Sequence, residues 1–168
     1  NNLASTAKTI QVQHGETSGE VEFVLLIQKG QLYVTVGSDH SDRVIEQTNV
    51  SWAKQAYPNI IAPRVWNYEE VKGHWDSLVM KCYVLCSGEW VLNQQAPLSD
   101  LRPPEELIKL TEEFIGGNDS GIVVFSGTVP AFNGLISGEG YRIELEDRVL
   151  NRKISHEYSV ELLPPARE

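Results

Sequence analysis

Three acidic residues, Glu20, Glu22 and Asp39, carry the chemistry this sequence offers most plainly. They lie on two β-rich runs, Glu20–Ile27 and Leu32–Arg43, that flank Lys29-Gly30, a pair with the character of a turn. With that pair at the tip of a hairpin, Gln28 opposes Gln31 and Glu20 opposes Asp39. One face then carries Val21, Phe23, Leu25, Ile27, Leu32, Val34 and Val36, all apolar, and the other carries Glu20, Glu22, Val24, Leu26, Tyr33, Thr35, Gly37 and Asp39. Like charges opposed on a sheet repel. Residues two apart on a strand are roughly 7 Å apart, so one hard divalent cation between them turns repulsion into coordination. An all-oxygen set favours Mg²⁺, Mn²⁺ or Ca²⁺ over zinc. The plainer alternative is a solvated acidic face on an edge hairpin. A three-residue loop would shift the register by one and send Asp39 to the other face.

Other side chains could serve such a site. Arg43 follows Asp39 by four residues and either braces the carboxylates or clamps a substrate carboxylate. Lys54, ahead of Pro58, offers positive charge to a carboxylate or enolate, or is simply a surface lysine. Gly127 and Thr128, before Pro130, present a hydroxyl and backbone N–H groups to an anion, or form an ordinary strand-end turn. His40 adjoins Asp39 and points to the opposite face, which makes it structural. His14 lies near the acidic cluster in sequence, whereas His74 and His156 have no acidic partner at telling spacing. Neither a Gly-x-Ser-x-Gly elbow nor a nucleotide loop is found. Cys82 and Cys86 read as free thiols of a reducing, cytoplasmic compartment.

Several motifs bear a family likeness. Glu20-Val-Glu22 before an apolar strand resembles the E-x-E metal motif of the fumarylacetoacetate hydrolase family. Ser38-Asp-His-Ser-Asp-Arg43 resembles its N-D-x-S-x-R, Gly127-Thr-Val-Pro130 its T-G-T-P loop after the strand Gly121–Ser126, and Cys86-Ser-Gly-Glu89 its v-N-G-e turn. The segment around Lys54 is a looser match to the family's K-s-f-d region, with one residue missing before Ala62-Pro63. Order and spacing agree over roughly residues 17 to 162. The resemblance implies a β-rich α+β domain, the FAH-type mixed β-sandwich roll with few short helices. It implies Glu20, Glu22 and Asp39 as ligands of Mg²⁺ (or Mn²⁺ or Ca²⁺). It makes Lys54 the catalytic residue and Arg43, Lys54, Gly127 and Thr128 the substrate grip, in a homodimer. The ending Arg152–Tyr158 points to a small branch of the family. The family also carries a segment before the E-x-E that supplies a fourth acidic ligand and a catalytic histidine. That segment is missing here, which reads as a fragment or a processed product.

The elements that must position these residues are mostly strands. A short strand is expected within Lys8–Gln13, a turn over Gly15–Gly19, and then the hairpin. Short helices are expected after Asp42, before Pro58 and after Asn67, the last with Asn67 as its cap. A second hairpin runs through Leu78–Leu85 and Glu89–Leu92 around Ser87-Gly88. One convincing helix starts at Pro103-Pro104, buries Leu107, Leu110 and Phe114, and stops at Gly116-Gly117. Ile122–Phe125 reads as a buried strand, and Tyr141–Leu145 and Ser155–Leu162 alternate as strands. There is no βαβ rhythm.

Residues 1–168 are expected to form a single domain of the resembling type, a length that supports a full core. A net charge of −9 and a pI near 4.9 argue against nucleic acid as a partner. No apolar run approaches the roughly 18 residues of a membrane span, and no signal peptide is visible. The reading is a divalent-metal-dependent hydrolase or lyase acting on a small anionic oxo-acid. Acylpyruvate-like C–C bond hydrolysis or decarboxylation through a metal-stabilised enolate is the chemistry the resemblance implies. The alternatives are a non-catalytic domain binding metal or small acids, and a structural acidic domain without a ligand.

Overall fold

Lys29 and Gly30 both take positive φ, 51° and 73°, the backbone that a two-residue hairpin turn demands. The computed structural model describes residues 4–116 and 121–165. In chain order its strands and helices are β1 (Thr9–Val12), β2 (Thr17–Gln28), β3 (Gln31–Asp42), α1 (Arg43–Glu46), α2 (Val50–Gln55), β4 (Ile60–Ile61), β5 (Trp66–Asn67), α3 (Tyr68–Val71), β6 (Val79–Cys86), β7 (Glu89–Pro97), α4 (Pro104–Ile115), β8 (Ile122–Phe125), β9 (Gly140–Asp147) and β10 (Arg152–Leu162). The β2–β3 ladder runs from Gln28 opposite Gln31 back to Thr17 opposite Asp42, with Glu20 opposite Asp39, which is the expected register.

One sheet has the order β4-β3-β2-β8, with β5 pairing on β3, and the second has the order β1-β10-β9-β6-β7. The two close on a shared core. Val21, Phe23, Leu25, Val34 and Val36 from the hairpin are buried in one cluster with Met80, Cys82, Val84, Tyr141, Ile143, Leu145, Ile154 and Tyr158 from the other sheet. Burying each such side chain is worth about 1.5–3 kcal/mol, so the hairpin's apolar face is committed to the core. Its acid-bearing face is thereby turned outward. The result is the β-rich mixed sandwich that was expected, with few short helices. Among the described residues no helix is long and apolar enough to cross a membrane.

Three local expectations need correction. The turn over Gly15–Gly19 is shorter than expected, because Thr17–Gly19 already belong to β2. Gly19 is needed for close packing, since a Cβ there would lie 2.3 Å from the Tyr158 hydroxyl. Helix α4 starts at Pro104 and ends on left-handed Gly116, while Gly117 lies outside the described residues. It docks through Leu107 and Ile108, leaving Leu110 partly exposed and Phe114 91% exposed. The helix therefore lies at a rim and covers the core with only part of its stripe. Strand β8 pairs with β2 alone, and as a sheet edge it is only partly buried.

Candidate functional site

The acidic face is covered rather than solvated. Glu22 is 3% exposed and Asp39 8% exposed. The cover is made by the chain that leaves β3. Asp42 ends the strand and starts α1 by accepting N–H bonds from Val44 and Ile45, both at 2.9 Å. Burial works against the Asp42 charge. The Ile45 amide, the Tyr57 hydroxyl and His14 outweigh it, so its carboxyl stays below the usual range. Asn49 then caps α2 by accepting from Trp52 N–H. That short helix packs on β3 with Ala53 fully buried, and the next residue, Lys54, reaches the acids.

The Lys54 ammonium donates to Asp39 Oδ2 and lies 3.5 Å from Glu20 Oε2. Burial alone would lower its pKa, but Asp39, Glu20 and Glu22 raise it above the ordinary lysine value. Arg43 Nη2 lies 3.2 Å from the same Glu20 oxygen. Its remaining donors go to Glu46 at 2.7 Å and Ser18 Oγ at 2.7 Å. Among the described residues Glu22 forms no ion pair. Its Oε2 accepts the Gly127 N–H at 2.7 Å. Burial pushes its carboxyl up to about 7, and the neighbouring Asp39 and Glu20 add to the rise that Gly127 and Lys54 oppose.

The loop that supplies Gly127 is pinned from the second sheet. Gln94 Nε2 donates to Thr128 Oγ1 at 2.9 Å and to Val129 O at 2.7 Å, and Gln94 Oε1 accepts from Val21 N. Thr128 in turn donates its hydroxyl proton to Val21 O at 2.9 Å. Nothing in the sequence motifs points to Gln94. Asn93 is the unpaired extra residue where the β6–β7 register shifts, so Asn93 and Gln94 are both buried. The neighbouring amides Asn93-Gln94 were the available signal, and a β-bulge is the device that turns both inward.

The structure thus gathers Glu20, Glu22, Asp39, Arg43, Lys54 and Gly127, with Thr128 beside them and its hydroxyl turned to backbone. Among the described residues no three His, Cys, Asp or Glu side chains are arranged to hold a metal ion. Lys54 holds Asp39 and Glu20, and Glu22 is drawn to Gly127. The residues still fit a hard cation in kind: every donor is oxygen, and Glu22 is a buried carboxylate without a counter-ion.

The histidines stand apart from the acids. His40 is fully buried among Tyr57, Tyr141 and Tyr158, with Nδ1 3.1 Å from the Tyr158 hydroxyl. Burial, aided by Arg43, holds its pKa at about 3 despite Asp42, so it is a neutral structural residue, as its strand position implied. His14 Nδ1 pairs with Asp42 at 2.7 Å. His74 has an acidic partner that no local spacing points to: Asp147 lies 3.0 Å from its Nε2. That partner comes from β9, beyond any local spacing. His156 Nε2 meets Ala7 O at 3.1 Å.

A family model described as "Protein of unknown function (DUF2848)" matches residues 1–158. No curated protein matches the chain. Among solved structures, a hexagonal crystal form of 2-keto-3-deoxyarabinonate dehydratase is similar at a TM-score of 0.71 and 17% identity, over 97% of this chain and 57% of that one. A 2-keto-3-deoxy-D-arabinonate dehydratase complexed with magnesium and 2,5-dioxopentanoate is similar at 0.69 and 16%, over 97% and 59%. Crystal structures of Cg1458 give 0.69 and 16%, over 96% and 66%. The chain spans 57% to 66% of the length of these relatives. At 16% to 17% identity this likeness is one of fold alone.

Proposed function

The chain belongs to the DUF2848 family, and from its site we propose a divalent-metal-dependent hydrolase or lyase acting on a small anionic oxo-acid. The observation that carries the reading is three carboxylates on one covered face of a hairpin, one of them, Glu22, without a counter-ion. A neighbour of the same fold complexed with magnesium and 2,5-dioxopentanoate supports it.

Glu20, Glu22 and Asp39 would hold the ion, with Mg²⁺ first and Mn²⁺ or Ca²⁺ as substitutes. When bound, it supplies a Lewis acid for the substrate's carbonyl and for negative charge developing as an enolate. Arg43 keeps Glu20 oriented from a fixed position among Ser18 and Glu46. Lys54 brings positive charge to the acid's carboxylate end. The Gly127-Thr128 turn, pinned by Gln94, walls the site and offers backbone N–H dipoles. An acylpyruvate-like C–C bond hydrolysis or a decarboxylation is the reaction class this layout suits.

The alternative, a non-catalytic metal- or small-acid-binding domain, is favoured by one observation. All four histidines are engaged away from the acids, so no imidazole base stands beside them. Residues 1–168 are read as one domain of the fumarylacetoacetate hydrolase type. We further propose a cytoplasmic homodimer: both cysteines are free, and exposed Trp52, Phe132 and Leu135 offer apolar surface for a second copy. Light scattering tests the assembly.

Elemental analysis of purified protein, followed by turnover assays on an oxo-acid panel, tests the function. Bound divalent metal with turnover is the expected result. Metal and acid binding without turnover selects the alternative, and absence of both removes the two readings together.

A further inference from the structure

We infer that Lys54 is the internal counter-ion of the carboxylate site, competing with the divalent ion for Asp39 and Glu20, so that metal loading is what frees Lys54 to bind the oxo-acid. This rests on the metal reading above. By sequence Lys54 offers positive charge to an anionic ligand. In the structure that cation is spent, because it donates to Asp39 and lies 3.5 Å from Glu20. Lys54 can serve an incoming carboxylate only after something else meets those two acids.

The surroundings suit an exchange. The ammonium sits at the end of an unbranched stem from the last turn of α2, and its side chain is 39% exposed. It can swing outward by rotamer changes without refolding the helix. Arg43 cannot replace it, since Ser18 and Glu46 occupy its other donors. A divalent ion carries twice the charge of the ammonium, and Glu20, Asp39 and Glu22, the last without an ion pair among the described residues, would all be available to hold it. Three carboxylates and one dication leave a net negative site that repels a free anion. The released ammonium at its edge offsets that charge. The order of binding follows: metal first, acid second.

The test compares the parent with Lys54→Met and Lys54→Arg by Mn²⁺ calorimetry, with oxalate as the acid probe and circular dichroism as the check on folding. Lys54→Met should bind Mn²⁺ about tenfold or more tightly, a difference typical of a close charge competitor. Lys54→Arg, which keeps a cation, should stay near the parent. Mn²⁺-loaded Lys54→Met should bind oxalate more weakly than the loaded parent. Amine labelling of Lys54 in the parent, followed by mass spectrometry, should speed up when Mg²⁺ is added. If Lys54→Met proves unfolded, Lys54→Gln takes its place. A folded variant that binds Mn²⁺ with the parent's affinity or less overturns the inference and leaves the metal reading standing. Absence of Mn²⁺ binding in both parent and variant overturns both.

Discussion

Glu22 and Gly127 meet at 2.7 Å, carboxylate to backbone N–H, across 105 residues of sequence. The contact fastens the turn after β8 to the middle of β2. It is also the one direct hydrogen bond described for the most deeply buried carboxylate of the site. Glu22 is therefore where folding and ligand binding oppose each other most directly, and its titration exposes the conflict.

The Glu22 carboxyl titrates near 4.5 when unfolded and at about 7 when folded. Between these values the native protein keeps a proton that the unfolded chain gives up. Its contribution is thus fully present below 4.5 and is lost as pH rises through 7. The full difference is on the order of 3 kcal/mol. In metal-free protein, Glu22→Gln should raise the melting temperature at about pH 8 and give no such gain at about pH 4.5. Equal shifts at both pH values would count against the assignment.

His40 works in the opposite direction. Its folded pKa of about 3 lies below the ordinary 6.5, so stability is intact above 6.5 and drains away as pH falls toward 3. His40→Leu should cost packing at every pH yet flatten that acid limb. Urea midpoints measured across the range for both proteins decide it, since only the slopes are compared.

Gly37 faces the acids from β3 and should accept no side chain. A Cβ there would lie 2.6 Å from Val24 Cγ2, 2.8 Å from Phe125 and 2.9 Å from the Ile60 carbonyl. Gly37→Ala should lose about 1–3 kcal/mol in denaturant titration. Gly15→Ala, with nothing within 4 Å, is the matched control and should stay close to the parent.

Gln94→Leu removes three hydrogen bonds at once and leaves Val21 N–H and Val129 C=O without their partner. Each stranded buried group costs about 1–3 kcal/mol. Hydrogen exchange should quicken over residues 126–130, and the variant's oxo-acid affinity should fall. Unchanged exchange in that segment would show that the turn stands without Gln94.

The hairpin was legible because two signals agree: one register puts seven apolar residues on a single face, and Lys29-Gly30 has the character of a turn. From those alone the pairing of Glu20 with Asp39 followed, and the structure has it. The site's wiring was not legible in the same way. Lys54 appeared as a free charge because nothing in sequence ties residue 54 to residues 20 and 39, and its ion pairs arise only when α2 folds back over β3. Gln94 was hidden by a bulge, which breaks the alternation that would have given its direction. His74 and Asp147 are joined by packing between distant elements. Phe114 misled because a helical stripe shows which side of a helix is apolar, and not how much of that side a rim position covers.

Asp39 sits between Ser38 and His40, which point the other way into the core and share one partner, the Tyr158 hydroxyl, at 2.7 Å and 3.1 Å. That tyrosine belongs to the opposite sheet and stacks on Tyr141. The roll of β3 at Asp39 is thus gripped from behind by one phenol with no access to solvent. For anyone reshaping this protein, position 158 acts as a remote adjustment screw. A mutant library drawn only from residues lining the acidic face would omit the side chain that holds both neighbours of Asp39.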